Sequence, residues 1–390
     1  MKILYYGDNR VRVNLGCRAT SAALSMLISR KHHIVYRIKS ELFLTQPPYS
    51  MISSLTFDLE KNISLIKKWA EIDIRYRETD LDIYEYDALV INAEGSMIMT
   101  QIPRLDTIYF LTVAYWARKK CKKIFFVNGM FSDCPVTGKN KETLKLTDKI
   151  LSTCDFVSTR DPLSFRYVKE NMSNVAVKYI PDALFTWKDF VEKDIPKNLR
   201  FFMPFRFESD NELTGGYLKN GYVIISGGSL AAWNQRKAFE TYVPLVQKIK
   251  QCTSLPVILL QTCSGDFFLT DVAKATDTPM IPAKIPIVAS LNLLAHATLY
   301  ISGRYHPSIM ASLGNVPCIF LKGNSHKNLG LQEMLAYRNI KEFSHYPSQN
   351  DIEEICRLSS EYISGKLELP TTVSIDTLCE RATSLLNYIE

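Results

Sequence analysis

The stretch TLYISGRYHPSIMASLGNVPCIFL, residues 298–321, decides the fold. Its first five residues, 298–302, form an apolar run of strand length, and 316–321 form another. Between them, 306–313 reads as a short helix. Strand, helix and strand in that order place two parallel strands side by side with the helix packed on one face. Working outward, strands at 221–226 (GYVIIS) and 256–261 (PVILLQ) alternate with helical patterns at 236–250, 266–274, 286–296 and 329–337. The first half repeats the alternation. Strands are expected at 2–6, 33–38, 86–92, 123–127, 155–159 and 174–179. Helices are expected at 17–30, 59–71, 106–119, 141–151 and 162–171. Such βαβα order predicts parallel sheets covered by helices on both faces.

Polar and turn-forming residues cluster at 181–220, where the alternation breaks. The expected fold class is therefore α/β, with two doubly wound Rossmann-like domains and C-terminal helices. The domain limits read as 1–185, a junction at 186–220, 221–349, and a tail at 350–390 whose two helices are separated by GKLELP. Two such domains are expected to face a cleft and bind ligands where the carboxyl ends of their strands meet.

Composition agrees. With 390 residues, at about 150 per domain, two or three domains fit. A hydrophobic fraction of 46% and a charged fraction of 22% match a soluble globular chain, and 16 Gly with 17 Pro exclude collagen-like sequence. Lys and Arg number 47 against 40 Asp and Glu, a net +7 that suits an anionic small ligand or an anionic membrane surface. No nucleic-acid motif or long basic run is present, so nucleic acid is not an expected partner. Nine cysteines without a CxxC pair argue for reduced thiols in a cytoplasmic protein and against a zinc ribbon. Met1-Lys2 leads directly into a strand, so no signal peptide is expected. The longest apolar run, 109–117, is far short of the ~20 residues of a membrane helix.

Five segments stand at expected strand ends or helix starts. Asn14-Leu15-Gly16-Cys17-Arg18 precedes a helix, where backbone N–H groups and Arg18 favour anions. Asn92-Ala93-Glu94-Gly95-Ser96 follows an apolar strand and offers Glu94 to orient or deprotonate a hydroxyl. In Ser158-Thr159-Arg160-Asp161-Pro162, Asp161 reads as an N-cap with Pro at the first helical position, and Arg160 can grip a carboxylate or phosphate. Gly303-Arg304-Tyr305-His306 joins a permanent cation to a proton-switchable imidazole at a helix start. Lys322 to Gly330 forms a neighbouring loop with Lys327. Gly227 and Gly228 after a strand can cradle a phosphate through backbone N–H groups. Patterns such as HExxH, GxSxG and GxxxxGK[ST] are absent, and no metal site is expected.

Taken in order, these segments resemble the polysaccharide pyruvyl transferase family. Asn14-Leu15-Gly16 is similar to its N-terminal Asn-x-Gly loop. VINAEGS at 90–96 resembles its strand followed by Gly-Glu-Gly, with Ala93 in place of the first Gly. STRDPLS at 158–164 and PDALF at 181–185 resemble its Arg-Asp-Pro-x-Ser and Pro-Asp-x-x-Phe segments. ISGRYHPSIMASLGNVPCIFL at 301–321 resembles its Arg-x-His stretch, and Lys327 with Leu329-Gly330 its lysine loop. The resemblance implies a GT-B-like architecture and transfer of a pyruvate ketal from phosphoenolpyruvate to a sugar of a cell-surface glycan, with no cofactor.

Carried over by position, His306, Arg304, Glu94 and Lys327 are expected in catalysis, and Arg160, Arg304, Lys327, Gly227 and Gly228 in binding the donor anion. Asn14, Arg18, Glu94 and Ser96 are expected on the acceptor side. The implied acceptor is a lipid-linked or nucleotide-linked sugar, handled in the cytoplasm or at the cytoplasmic face of the inner membrane. A homo-oligomer is compatible with this reading. Two other readings stay open. One is a GT-B glycosyltransferase using a CMP-sugar or another nucleotide sugar, since a His-Pro pair like His306-Pro307 also marks some sialyltransferases and Kdo transferases. The other is a non-catalytic sugar- or anion-binding relative.

Overall fold

The computed structural model describes residues 1–39, 55–192, 217–369 and 373–390. The chain forms two compact units: Met1–Arg12 with Thr20–Ala183 and Glu380–Glu390, and Val13–Ala19 with Leu184–Cys379.

In the first unit the apolar runs become strands β1 (Lys2–Asp8), β2 (His33–Lys39), β3 (Ala88–Asn92), β4 (Met97–Met99), β5 (Lys123–Gly129), β6 (Phe131–Asp133), β7 (Phe156–Thr159) and β8 (Val177–Tyr179). Six of them form one sheet in the order β2-β1-β3-β5-β7-β8, and β4 pairs with β6 in a small ribbon. Every pairing is parallel. All five residues of β3 are buried, as a strand covered on both faces requires. The chain first winds outward from β1 to β2 and then reverses to β3, so the switch point lies between β1 and β3.

The longest apolar run of the sequence belongs to helix Leu105–Lys119, which is buried over most of its length in the core with Trp69, Phe126 and Phe131. Burying each such aromatic side chain contributes about 1.5–3 kcal/mol. Helix Pro162–Asn171 starts as its sequence predicts: Asp161 accepts from Ser164 N, and Pro162 occupies the first turn. The C-terminal residues cover the β7–β8 edge, where Tyr388 stacks on Phe156 at 4.7 Å and Arg381 lies over Tyr179 at 4.7 Å.

The second unit repeats the winding with β9 (Val223–Gly228), β10 (Val257–Leu260), β11 (Met280–Ile281), β12 (Leu299–Gly303) and β13 (Cys318–Phe320). Their order is β11-β10-β9-β12-β13, all parallel, with the switch point between β9 and β12. Helices Gln235–Cys252, Phe268–Thr276 and Gln349–Ile363 pack their apolar faces against it around Tyr242, Leu245, Phe268 and Ile355.

Three features depart from the sequence reading. Strands β4, β6 and β11 were not expected, because two or three residues carry no readable periodicity. Residues Ala183–Phe190 form a 3₁₀ segment with Leu184, Phe185 and Trp187 buried, where the sequence suggested a polar break. The rest of the expected junction, from 193 to 216, lies outside the described residues. Lastly, Val13–Ala19 belongs to the second unit and Glu380–Glu390 to the first, although each is distant in sequence from most of its unit. Among the described residues, no helix is long and apolar enough to cross a membrane.

Candidate functional site

In the first unit the strand ends at the switch point carry a buried polar network. β3 ends at Asn92, and the chain turns at Glu94 with φ of +40°, a left-handed conformation that costs a non-glycine residue energy. Glu94 is 4% exposed. Its Oε1 accepts from Asn9 Nδ2 at 2.7 Å, Ser21 Oγ at 2.9 Å and Asn92 Nδ2 at 3.0 Å. The network continues through Asn128, next to last in β5, which donates to Asn92 Oδ1 at 3.2 Å and Thr20 Oγ1 at 3.0 Å. Thr20 Oγ1 donates to Asp182 Oδ1 at 2.7 Å. Asp182 Oδ2 faces Arg160 Nη1 at 3.3 Å, with the two side chains 0% and 2% exposed. Two residues singled out in the sequence, Glu94 and Arg160, are thus ends of one hydrogen-bonded chain. Asn92, Asn128, Thr20 and Asp182 link them; Asn128 and Thr20 gave no separate signal in the sequence, whereas Asp182 lies in the PDALF segment. Ser96 is half-buried in the turn after Glu94, where its N–H donates to Ala93 O at 3.0 Å.

In the second unit Arg304 caps helix Tyr305–Leu313 at the end of β12. Its backbone N–H donates to Ser302 Oγ at 3.0 Å, and that hydroxyl donates to Gly227 O at 3.1 Å, tying β12 to β9. Its side chain, 12% exposed, places Nη2 2.5 Å from Asp266 Oδ1. Burial disfavours the guanidinium's charge, but Asp266 beside it outweighs burial and holds the pKa above its ordinary value. Buried Nε has no hydrogen-bond partner among the described residues, an omission that costs about 1–3 kcal/mol. The guanidinium is therefore held in place by Asp266 and not by full satisfaction of its donors.

His306 follows on the first turn of the same helix, 8% exposed. Behind it lies Gly16: a methyl group there would stand 2.7 Å from His306 Cβ and 2.9 Å from Nδ1. The Asn14–Gly16 loop and the Arg304–His306 turn, nearly three hundred residues apart, are one site element. Asn14 Oδ1 accepts from Cys17 N at 3.1 Å and so caps helix Leu15–Ser29, while Leu15 N donates to Thr262 O at 2.7 Å. Arg18 Nη2 donates to the carbonyls of Ala283 at 2.6 Å and Ile285 at 3.1 Å, which ties down the cation assigned to the acceptor by its sequence position. Substituting Gly16 with Ala is expected to displace the imidazole, cut turnover at least tenfold and cost about 1–3 kcal/mol of stability by overpacking. Steady-state kinetics beside a thermal melt checks this.

Lys327 opens helix Lys327–Met334 and places Nζ 2.8 Å from Asn324 Oδ1 and 3.5 Å from Ser229 Oγ. Burial pushes the Glu342 carboxyl up to about 7, against the pull of Gly323 N–H, Lys327 and Lys322. The two glycines after β9 serve close packing. A methyl group on Gly227 would meet Asp266 Oδ1 at 2.1 Å, and Gly228 lies against Gly303 Cα at the switch point. The phosphate cradle expected at Gly227 is occupied on its side-chain face by a carboxylate. Among the described residues, no group of three or more His, Cys, Asp or Glu is placed to hold a metal ion.

The structure thus gathers Asn14, Gly16, Arg18, Gly227, Gly228, Arg304, His306 and Lys327 in the second unit and Glu94, Ser96 and Arg160 in the first. Sequence reasoning missed Asp266 and Thr262. A Gly-Asp pair just beyond an apolar strand was the available signal.

Solved structures share this fold. UDP-GlcNAc 2-epimerase from Methanocaldococcus jannaschii is 14% identical, with TM-score 0.58 and 100% of both chains covered. UDP-GlcNAc 2-epimerase from Neisseria meningitidis, bound to UDP-GlcNAc, is 11% identical with TM-score 0.56, over 100% of this chain and 99% of that one. UGT89C1 from Arabidopsis thaliana, complexed with UDP, is 11% identical with TM-score 0.53, over 99% of this chain and 95% of that one. These likenesses show a GT-B-like fold of two Rossmann-like units. No curated protein matches the chain. The family model described as polysaccharide pyruvyl transferase matches residues 14–325, a span that starts at the Asn14 loop and ends beside Lys327. The chain belongs to the polysaccharide pyruvyl transferase family.

Proposed function

We propose that this protein transfers the enolpyruvyl group of phosphoenolpyruvate to a sugar of a cell-surface polysaccharide precursor, forming a pyruvate ketal and releasing phosphate. The observation that carries the reading is the start of helix Tyr305–Leu313, where Arg304 is clamped by Asp266 and His306 is backed by Gly16. A permanent cation, a titratable ring and a helix N-terminus at one turn suit a small anion that must be protonated. In this reading His306 delivers a proton to C3 of the enol, and C2 gains positive character. A sugar hydroxyl oxygen bonds to C2 and the C2–O bond to phosphate breaks. A second hydroxyl of the same sugar then bonds to C2 and closes the ketal ring. One hydroxyl proton replaces the proton given to C3, and the other leaves with phosphate.

Arg304 and Lys327 are assigned to the donor's phosphate and carboxylate, with Arg160 as a further anion partner. Glu94, whose three hydrogen bonds all engage Oε1, is assigned to hold or deprotonate the acceptor hydroxyl through Oε2. Ser96, Asn14 and Arg18 are assigned to shaping the acceptor side. The enol phosphate supplies the free energy, so the proposal includes neither cofactor nor metal. The acceptor is proposed to be lipid-linked or nucleotide-linked and met at the cytoplasmic face of the inner membrane.

The test incubates the protein with phosphoenolpyruvate and galactoside or mannoside acceptors. Phosphate release matched by a ketal product is expected. Phosphoenolpyruvate at 100 times its Kd is also expected to stabilise the fold by about 2.7 kcal/mol in a thermal shift. Release of CMP or UDP from a nucleotide sugar, with no turnover of phosphoenolpyruvate, overturns the reading. So does binding with no turnover of either.

A further inference from the structure

We propose that Asp266 is the positioning residue for Arg304, and that the loop 262–266 carries this constraint back to the Asn14–Gly16 segment. The inference rests on the pyruvyl-transfer reading for its kinetic test, but its geometry stands alone. Asp266 is fully buried. One carboxylate oxygen, Oδ1, takes Arg304 Nη2 at 2.5 Å. The other, Oδ2, accepts from Thr262 N at 2.9 Å and Thr262 Oγ1 at 2.6 Å. Both oxygens are therefore fixed, and charge-assisted bonds of this kind are short and directional.

Glycines on either side make the arrangement possible. A side chain at Gly227 would stand 2.1 Å from Oδ1, and one at Gly265 would stand 2.8 Å from Ala232 Cβ and 3.4 Å from Arg304 Nη2. Thr262 works in both directions. Its N–H and hydroxyl hold Asp266, while its carbonyl accepts from Leu15 N at 2.7 Å, next to the glycine that backs His306. Arg304 and His306 are thus registered to each other through the helix they share and through this loop. With Nη2 occupied and Nε buried, a ligand meets one preset edge of the guanidinium. Asp266 also offsets the charge of Arg304, so recognition depends on the direction of the remaining donors more than on net charge.

The experiment compares Asp266→Asn, Thr262→Val and Arg304→Lys with the wild type. Asp266→Asn keeps the size of the side chain and removes its charge. It is expected to lower kcat/KM for phosphoenolpyruvate about 10²-fold, the scale of a misplaced binding group, with acceptor KM unchanged. Thr262→Val keeps the ion pair, loses one donor and should fall in the same direction by less. In the Arg304→Lys background, adding Asp266→Asn should cost little more, because the two act as one unit. A purely structural Asp266 would instead lose the same factor in both backgrounds, and that result overturns the proposal. Unchanged kinetics in Asp266→Asn also overturns it. A wild type that does not turn over phosphoenolpyruvate refutes the functional reading alone. Crystal structures of Asp266→Asn and Thr262→Val then decide the positioning: a displaced Arg304 side chain supports it, and an unmoved one overturns it.

Discussion

Replacing His306 with Ala is expected to lower turnover by about 10²–10⁴-fold, the usual contribution of a positioned general acid, while acceptor KM stays near the wild-type value. The argument is geometric. The ring is nearly buried, sits in the first turn of its helix and rests on a glycine that leaves no room for any side chain. Such confinement fixes where the ring points, which a proton donor needs. Single-turnover measurements with phosphoenolpyruvate separate loss of chemistry from loss of binding. Near-normal turnover in the variant would remove His306 from the acid role and leave Arg304 and Lys327 as binding groups only.

The second large effect concerns the first unit. Substituting Asp182 with Ala is expected to destabilise the protein by about 3–5 kcal/mol, because it removes a buried carboxylate that faces the Arg160 guanidinium. At roughly 2–4 °C per kcal/mol for a unit of this size, the melting temperature should fall by about 6–20 °C. Thr20 Oγ1, which accepts from Asn128 Nδ2, also loses the acceptor of its own proton, which adds to the effect. The double replacement Arg160→Met with Asp182→Leu removes both charges, and much of the stability should return. Activity should not return with it if Arg160 serves the donor. Full activity in the double variant would assign Arg160 to architecture alone. Calorimetry and phosphate release on the same samples separate the two.

The candidate site was partly legible before any coordinates. Arg304 and His306 could be found because a strand end, a turn and a helix start are local patterns, and a cation beside an imidazole there is a recognisable chemistry. Glu94 and Arg160 stood out for the same reason. What lay between them was not legible. Asn128 belongs to no motif and Asp182 stood out only as part of PDALF; the fold alone makes them a chain from Glu94 to Arg160. Arg18 shows where a local reading stops. Its place at a helix start suggested an anion site, but two backbone carbonyls already hold its guanidinium.

By itself, the sequence determined the alternation of strands and helices, the two parallel sheets and the turns where functional side chains emerge. These follow from residue periodicity and helix capping, which act over a few positions. Only the tertiary structure decided that the Asn14–Gly16 loop joins the second unit and packs on His306, and that Asp266 takes hold of Arg304. Those contacts bring together residues tens to hundreds of positions apart. Asp266 and Arg304 meet because β10 and β12 end on one edge of the same parallel sheet, and no local pattern encodes which distant side chains come together.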